Sequence, residues 1–346
     1  MSKTNEKTAI SSRCSGFWVV GEIAPDGRLR KVTLELLNEA KKLADRRGQL
    51  SVCVLLSPDL PDGFEAEIRK AGCSHILLLD CGTREFDVSV FTEALIEAIE
   101  AKNPEVVLLP ATVQGRELAP RVACRLRTGL TADCTDLDLD GAGNLVQIRP
   151  TFGGNILASI LTPEMRPQMA TVRPNVFACD QHSAAKEIKT ERLTTSLSSS
   201  VLGAMHLLER VKKETALQKL DEANIVISGG YGMESKENFA WIYKVAKLLN
   251  AAPGATRKAV DHSWAEEDIQ VGQTGQSVAP DLYIACGISG ALQHTMGMKR
   301  AKKIIAINRD PAAPIFAMAD VAILGNATDV LKELYQSLAK QSDKTK

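Results

Sequence analysis

Short, nearly unbroken apolar runs recur along the chain, each followed by a stretch whose apolar positions return every three or four residues. FWVVGEI (Phe17 to Ile23), LSVCVLL (Leu50 to Leu56), HILLLD (His75 to Asp80) and EVVLLP (Glu105 to Pro110) have strand length. Runs this continuous suit strands covered on both faces. Between them, Lys31 to Arg47 carries Leu34, Leu36, Leu37, Ala40 and Leu43 at roughly helical spacing, and Gly63 to Ala71 and Val88 to Lys102 read as further helices. The alternation predicts an α/β domain with a mostly parallel sheet and right-handed crossovers. From Arg127 to Phe177 the text becomes β-type with Pro and Gly punctuation, which predicts an antiparallel extension or a strand set facing a partner.

A polar, Ser/Thr-rich stretch then interrupts the pattern, and a second cycle opens with a strand at Asn224 to Ser228, the turn GGYG and a helix from Lys236 to Leu249. The predicted organisation is a flexible N-terminus (1–15), an N-terminal α/β domain (16–190), a linker (191–214), a doubly wound C-terminal domain (215–340) and a tail (341–346). A hinge near Ser198 would let the second domain swing. No fixed period of self-similarity argues for a solenoid.

Composition narrows the function. Of 346 residues, 45% are hydrophobic and 24% charged, an ordinary globular balance. The 42 basic and 42 acidic side chains cancel, so no long-range field favours nucleic acid. Eight scattered cysteines without a Cys-x-x-Cys pair argue against a chain-borne iron-sulfur or zinc site and suit a reducing cytoplasm. The first 15 residues lack the apolar core of a signal peptide, and no run is long enough to span a membrane.

Three places offer ligand chemistry. Thr112, Gln114, Gly115 and Arg116 follow the strand ending at Pro110 and open a helix, so they serve either as an anion site or as a capping turn. Arg149, Arg166 and Arg173, each followed by Pro, are either anion contacts or ion-paired side chains at strand ends. The denser signal lies between Gly229 and Asn308. Strand, Gly-Gly-Tyr-Gly and helix form the layout of a phosphate-binding turn. The turns Gly254-Ala255-Thr256-Arg257, Val271-Gly272-Gln273-Thr274-Gly275, Gly287-Ile288-Ser289-Gly290-Ala291-Leu292-Gln293-His294 and Asn308-Arg309-Asp310-Pro311 follow.

In that order the four turns resemble the α subunit of electron transfer flavoproteins. The resemblance extends through KVTLELL, GRELAPRVACRL, GLTADCT and RPQMATVRP in the first domain. It implies an FAD held by the C-terminal domain, with its isoalloxazine facing an electron transfer flavoprotein β subunit. It also implies electron exchange with a flavin dehydrogenase of the acyl-CoA dehydrogenase type. By the same resemblance Thr256 and Arg257 lie at the ring, and Val271, Gly272, Gln273 and Thr274 border it, with the Thr274 hydroxyl near N5. Gly287 and the stretch Ser289, Gly290, Ala291, Leu292, Gln293 and His294 supply further contacts. His294 lies near the C2 carbonyl and Asn308 at the adenosine end.

The chemistry agrees. Reduction by one electron places negative charge on N1 and the C2 carbonyl, where a cation or strong donor such as Arg257 or His294 stabilises it. No catalytic nucleophile, general-base pair or metal-ligand spacing stands out, and the resemblance implies an electron carrier active only with its partners.

Two positions depart from the family: Tyr231 replaces an Arg in the Gly-Gly-Arg-Gly turn, and Asn326 replaces an Asp near the adenosine ribose. GLTADCT, RPTFGGN and RPQMATVRP are similar to members found in flavin-based electron-bifurcating complexes. The alternative is a non-redox adenine-nucleotide-binding regulatory module built on the same turns.

Overall fold

The computed structural model describes residues 16–24, 26–151, 156–179, 187–195, 208–209, 219–220 and 223–344. The expected N-terminus 1–15 and the hinge near Ser198 lie outside the described residues, as does most of the linker. The chain divides into two compact units, 1–210 and 211–346.

In the first unit, strands β1 (Gly16–Gly21), β2 (Leu50–Leu56), β3 (His75–Asp80), β4 (Val106–Pro110), β5 (Leu130–Cys134), β9 (Gln168–Val172) and β10 (Lys189–Thr194) form one sheet. Its order is β10-β3-β2-β1-β4-β9-β5, with every neighbouring pair parallel. The continuous apolar runs are explained by the pleat. Phe17, Val19, Cys53 and Leu55 point into one core with Leu36, Leu37 and Leu43 of helix α1 (Lys31–Arg46) and Ile68 of α2 (Phe64–Lys70). Trp18, Val20, Val52 and Val54 point into the other, against α3 (Val88–Lys102) and α4 (Val113–Leu126).

The β-type stretch from Arg127 splits in two. Strands β6 (Asp136–Leu139), β7 (Leu145–Thr151) and β8 (Ile156–Ile160) make the expected antiparallel sheet, whereas β5 and β9 enter the main parallel sheet. The linker expected from residue 191 begins inside β10. That strand pairs in parallel with β3 from Lys189 to Thr194, and its half-buried Glu191 makes an ion pair with Lys102. An edge strand needs only alternate residues turned inward, so its polar composition hid it.

The second unit repeats the architecture on a smaller scale. Strands β11 (Ile225–Gly229), β12 (Ala252–Ala255), β13 (Leu282–Cys286), β14 (Lys303–Asn308) and β15 (Val321–Leu324) form a parallel sheet in the order β12-β11-β13-β14-β15. Helix α5 (Lys236–Leu249), capped by the Ser235 hydroxyl, packs Phe239, Ile242 and Val245 on one face together with α6 (Arg257–Asp261) and α8 (Ala327–Lys344). Met298 of α7 (Leu292–Met298) closes the other face with Val271 and Ile315. Helix α8 runs through Lys344, so the tail expected from 341 is largely helical.

Leu36 is fully buried. Leu36→Ala is therefore expected to cost the first unit about 2–5 kcal/mol. The loss would appear as a lower urea midpoint of Trp18 fluorescence in a chain whose Trp241 and Trp264 are replaced by Phe.

Candidate functional site

An open parallel sheet offers a crevice where the strand order reverses, at the carboxyl ends of the two strands on either side. The first unit reverses between β1 and β4, and there the chain fills the position itself. Glu22, just past β1, is buried, and its Oε1 accepts a 2.5 Å hydrogen bond from the Thr112 hydroxyl. The Gly115 N–H at the start of α4 and Arg30, whose Nε is 3.4 Å from Oε2, also favour its charge. Burial raises the Glu22 pKa, and these three groups oppose the rise. Thr112 also accepts from Gly115 N at 3.1 Å, so this turn is a helix cap closed over an internal carboxylate.

The second unit reverses between β11 and β13, and there backbone meets backbone. Gly232 N donates to Gly287 O at 2.9 Å, and Gly230 N to Cys286 O at 2.8 Å. Gly287 has φ 62°, and a Cβ on it would lie 2.7 Å from the Gly232 carbonyl carbon. The glycines of GGYG thus bring two turns into backbone contact at the switch point.

The turns expected to border the ring gather on the same carboxyl edge. Thr256 caps α6 through its backbone, and its buried Oγ1 has no hydrogen-bond partner. Arg257 at the first helical position is exposed, with Asp261 a loose partner at 3.7 Å. Gln273 N donates to Gln293 O at 2.7 Å, and Gln270 Nε2 donates to the Thr274 hydroxyl at 2.9 Å. Gly272 has φ 145°, and a Cβ on it would lie 2.7 Å from Gln293 O, so this turn rests directly on the start of α7.

His294 is buried behind the turn of Gln273 and Thr274. Its Nδ1 lies 2.9 Å from Val271 O and its Nε2 2.9 Å from the Tyr283 hydroxyl. A carbonyl only accepts, so Nδ1 carries the proton and Nε2 accepts from Tyr283. Burial pulls the imidazole pKa down to about 4, against the opposing hydrogen bond to Val271. Without a ligand both His294 nitrogens are engaged within the protein. The ring braces Val271, and with it the turn of Gln273 and Thr274.

On the remaining side, Ser289, Ala291, Leu292 and Gln293 are exposed along the turn into α7, and Gly290 lies against Ile315. Asn308 donates from Nδ2 to Ile288 O at 2.9 Å and accepts from Asp310 N at 3.0 Å, tying the turns after β13 and β14 together. Asn326 caps α8 by accepting from Thr328 N at 2.9 Å. Tyr231 is half exposed and stacks on Trp264 at 5.6 Å and 5°, with His262 at 5.1 Å and Lys258 Nζ 5.2 Å from its ring. Sequence reasoning missed Tyr283, Gln270 and the Trp264 stack. A lone phenol inside the apolar run LYIAC was the available signal for the first.

These residues fit a dinucleotide with a flat ring: glycine-lined turns where any Cβ would intrude, an orphaned Thr256 hydroxyl, and an exposed guanidinium beside it. Among the described residues no group of three or more His, Cys, Asp or Glu side chains is placed to hold a metal ion, and no helix is long and apolar enough to cross a membrane.

Residues 17–197 match the family model described as the electron transfer flavoprotein domain, and residues 219–299 match the electron transfer flavoprotein FAD-binding domain. Protein FixB of Clostridium saccharobutylicum is 41% identical over 321 residues, covering 92% of this chain and 95% of that protein. The electron transfer flavoprotein subunit alpha of Thermoanaerobacterium thermosaccharolyticum is 40% identical over 325 residues, covering 94% and 98%. The lactate dehydrogenase (NAD(+),ferredoxin) subunit LctC of Acetobacterium woodii is 36% identical over 310 residues, covering 89% and 73%. The chain belongs to the electron transfer flavoprotein family, and its second unit carries that family's FAD-binding domain.

Two outcomes follow from the geometry. An unfolded histidine titrates near 6.5, whereas His294 in the folded chain titrates at about 4, so the unfolded state binds more protons between these values. Stability from this residue is complete above pH 6.5 and falls by ~1.4 kcal/mol per unit as pH drops toward 4. The wild-type minus His294→Gln difference in unfolding free energy should show that slope. Gly287→Ala should destabilise the second unit by about 2–4 kcal/mol through overpacking and left-handed strain and reduce FAD retention on gel filtration.

Proposed function

We propose that this member of the electron transfer flavoprotein family is the α subunit of a heterodimer. In this role it holds FAD on the carboxyl edge of its second sheet and passes electrons between a flavin dehydrogenase of the acyl-CoA dehydrogenase type and another redox partner. The observation that carries this reading is the convergence of the GATR, VGQTG and GISG turns on one sheet edge, with the Thr256 hydroxyl and Arg257 guanidinium uncommitted to strong internal partners.

The flavin supplies one- and two-electron chemistry at its ring. Arg257 serves as a fixed cation at the ring, favouring added negative charge there. Thr256, Gln273 and Thr274 serve as polar contacts to the ring edge, and the backbone of Val271 and Gly272 lies beneath them. His294 acts through Val271 by holding this turn in register. Gly287, Ser289, Gly290, Ala291, Leu292 and Gln293 line the passage of the diphosphate, and Asn308 and Asn326 serve the adenosine end. Tyr231 offers a stacking surface where an Arg would offer charge, and Lys258 brings a cation to that corner.

A partner on the first unit is supported by β8. It is the edge of its antiparallel sheet, and Ile156 and Leu157 are 55% and 66% exposed. An edge strand with apolar side chains turned to water calls for cover, and a β subunit would provide it. A cytoplasmic location is supported by seven free cysteines among the described residues. Electron bifurcation from NADH is the finer reading. The LctC relative, named for NAD(+) and ferredoxin, favours it.

Co-production with the β subunit tests the proposal. The complex should be yellow, and Arg257→Ala should lower the first reduction potential by about 60–130 mV, the equivalent of one charge-assisted hydrogen bond. A colourless complex, or unchanged potentials in the variant, would refute these assignments. NADH oxidation by the pair separates the bifurcating version from the simple carrier.

A further inference from the structure

The glycine turn after β11 brings backbone to the switch point with its donors already engaged. Gly230 N donates to Cys286 O at 2.8 Å, Gly232 N to Gly287 O at 2.9 Å, and Gly287 N to Ile307 O at 2.8 Å. None of these three N–H groups is left for an anion, so negative charge arriving at this turn has to be met by side chains.

The side chain this turn offers is Tyr231, and it belongs to a cluster. Tyr231 is half exposed, with the Trp264 ring stacked within 5° of parallel. His262 lies 5.1 Å from Tyr231 and 5.4 Å from Trp264. Its Nδ1 faces Lys258 O at 2.8 Å, and since a carbonyl only accepts, Nδ1 donates and holds the imidazole on α6. Lys258 Nζ then stands 5.2 Å from the centre of the Tyr231 ring, within the ~6 Å reach of a cation–π contact. Tyr231 follows β11 and Lys258 follows β12. Those strands are parallel neighbours, so the contact joins two turns of one carboxyl edge.

The cations around this corner differ in what already balances them. Arg309 pairs with Glu234, and Arg257 has Asp261 at 3.7 Å. Lys258 is exposed and makes no ion pair among the described residues. An ammonium resting on an aromatic face is placed without being neutralised, whereas one held by a carboxylate has its charge cancelled. Its flexible stem is restrained before a ligand arrives, which lowers the ordering cost of binding.

A dinucleotide bound across a doubly wound sheet carries its diphosphate past the switch point. We propose that Lys258 is the charge partner of the FAD diphosphate in this chain, and that Tyr231 is the positioning residue that holds the ammonium there. The inference rests on the flavin reading given above. It adds a determinant of cofactor choice, favouring FAD over a flavin without phosphate.

Titrations of the full chain stripped of its cofactor, followed by flavin fluorescence, test this with FAD and separately with riboflavin. Lys258→Gln should weaken FAD about tenfold and leave riboflavin unchanged, and Lys258→Arg should stay within about twofold of wild type. Because the contact is ionic and exposed, added salt should weaken FAD more steeply in wild type than in Lys258→Gln. Tyr231→Leu should weaken FAD severalfold on its own and add nothing to Lys258→Gln, since the ring acts through the ammonium. Additive losses would mean that the ring merely packs, and would overturn its positioning role. FAD affinity unchanged in Lys258→Gln, an equal loss for FAD and riboflavin, or a salt dependence equal to wild type overturns the proposal and leaves the flavin reading intact. Failure of the wild-type chain to bind FAD overturns both.

Discussion

The second unit depends on a contact between two stretches of bare backbone. Where β11 and β13 end, the Gly230–Gly232 turn lies directly against Gly287, with N–H groups donating across the gap and no room for a Cβ. Side chains at these positions would hold the turns apart and cover the switch point. Without them the sheet presents polar backbone at the place where a doubly wound fold binds its ligand. The rest of the cradle is arranged around that opening.

A second layer keeps the arrangement rigid. The turn from Val271 to Gly275 has no regular secondary structure to hold it, so its position comes from Gln293 O, Gln270 and His294. His294 performs this as a neutral, buried ring anchored by Tyr283. A charged histidine at this depth would lack a counterion, and desolvation would strain the brace it provides. The positive charge of the site therefore sits on Arg257, at the solvent-exposed end of a short helix, where it costs little to keep until a ligand approaches.

Much of this was legible in the sequence. Apolar runs and helical periodicity located LSVCVLL, HILLLD and the helices over 88–102 and 236–249 to the residue, because strands covered on both faces leave an uninterrupted signal. Polar edge strands leave none, which is why residues 191–194 read as linker, whereas β9 is buried along its length and read as antiparallel only because its text adjoins the Pro- and Gly-punctuated stretch. In the site, the turns and their order were visible because glycine and small polar residues mark them. The hydrogen-bond partners of His294 were not. Whether a histidine faces a ligand or a carbonyl depends on which strand lies behind it, and Tyr283 reaches it only through tertiary packing.

The two sheets also show why one chain carries a single nucleotide cradle although it contains two folds of similar design. Both have a strand-order reversal, and both follow a strand with a turn that opens a helix. In the second unit the turn after β11 is Gly-Gly-Tyr-Gly, whose glycines meet Gly287 through backbone. In the first, the residue after β1 is Glu22, whose carboxylate turns inward to the Thr112 hydroxyl and the Gly115 N–H. An anion supplied by the chain satisfies the helix start as a bound phosphate would, and at no translational cost. Once that carboxylate is in place, a phosphate entering the same position would meet like charge in a buried setting, so the first sheet is committed to structure.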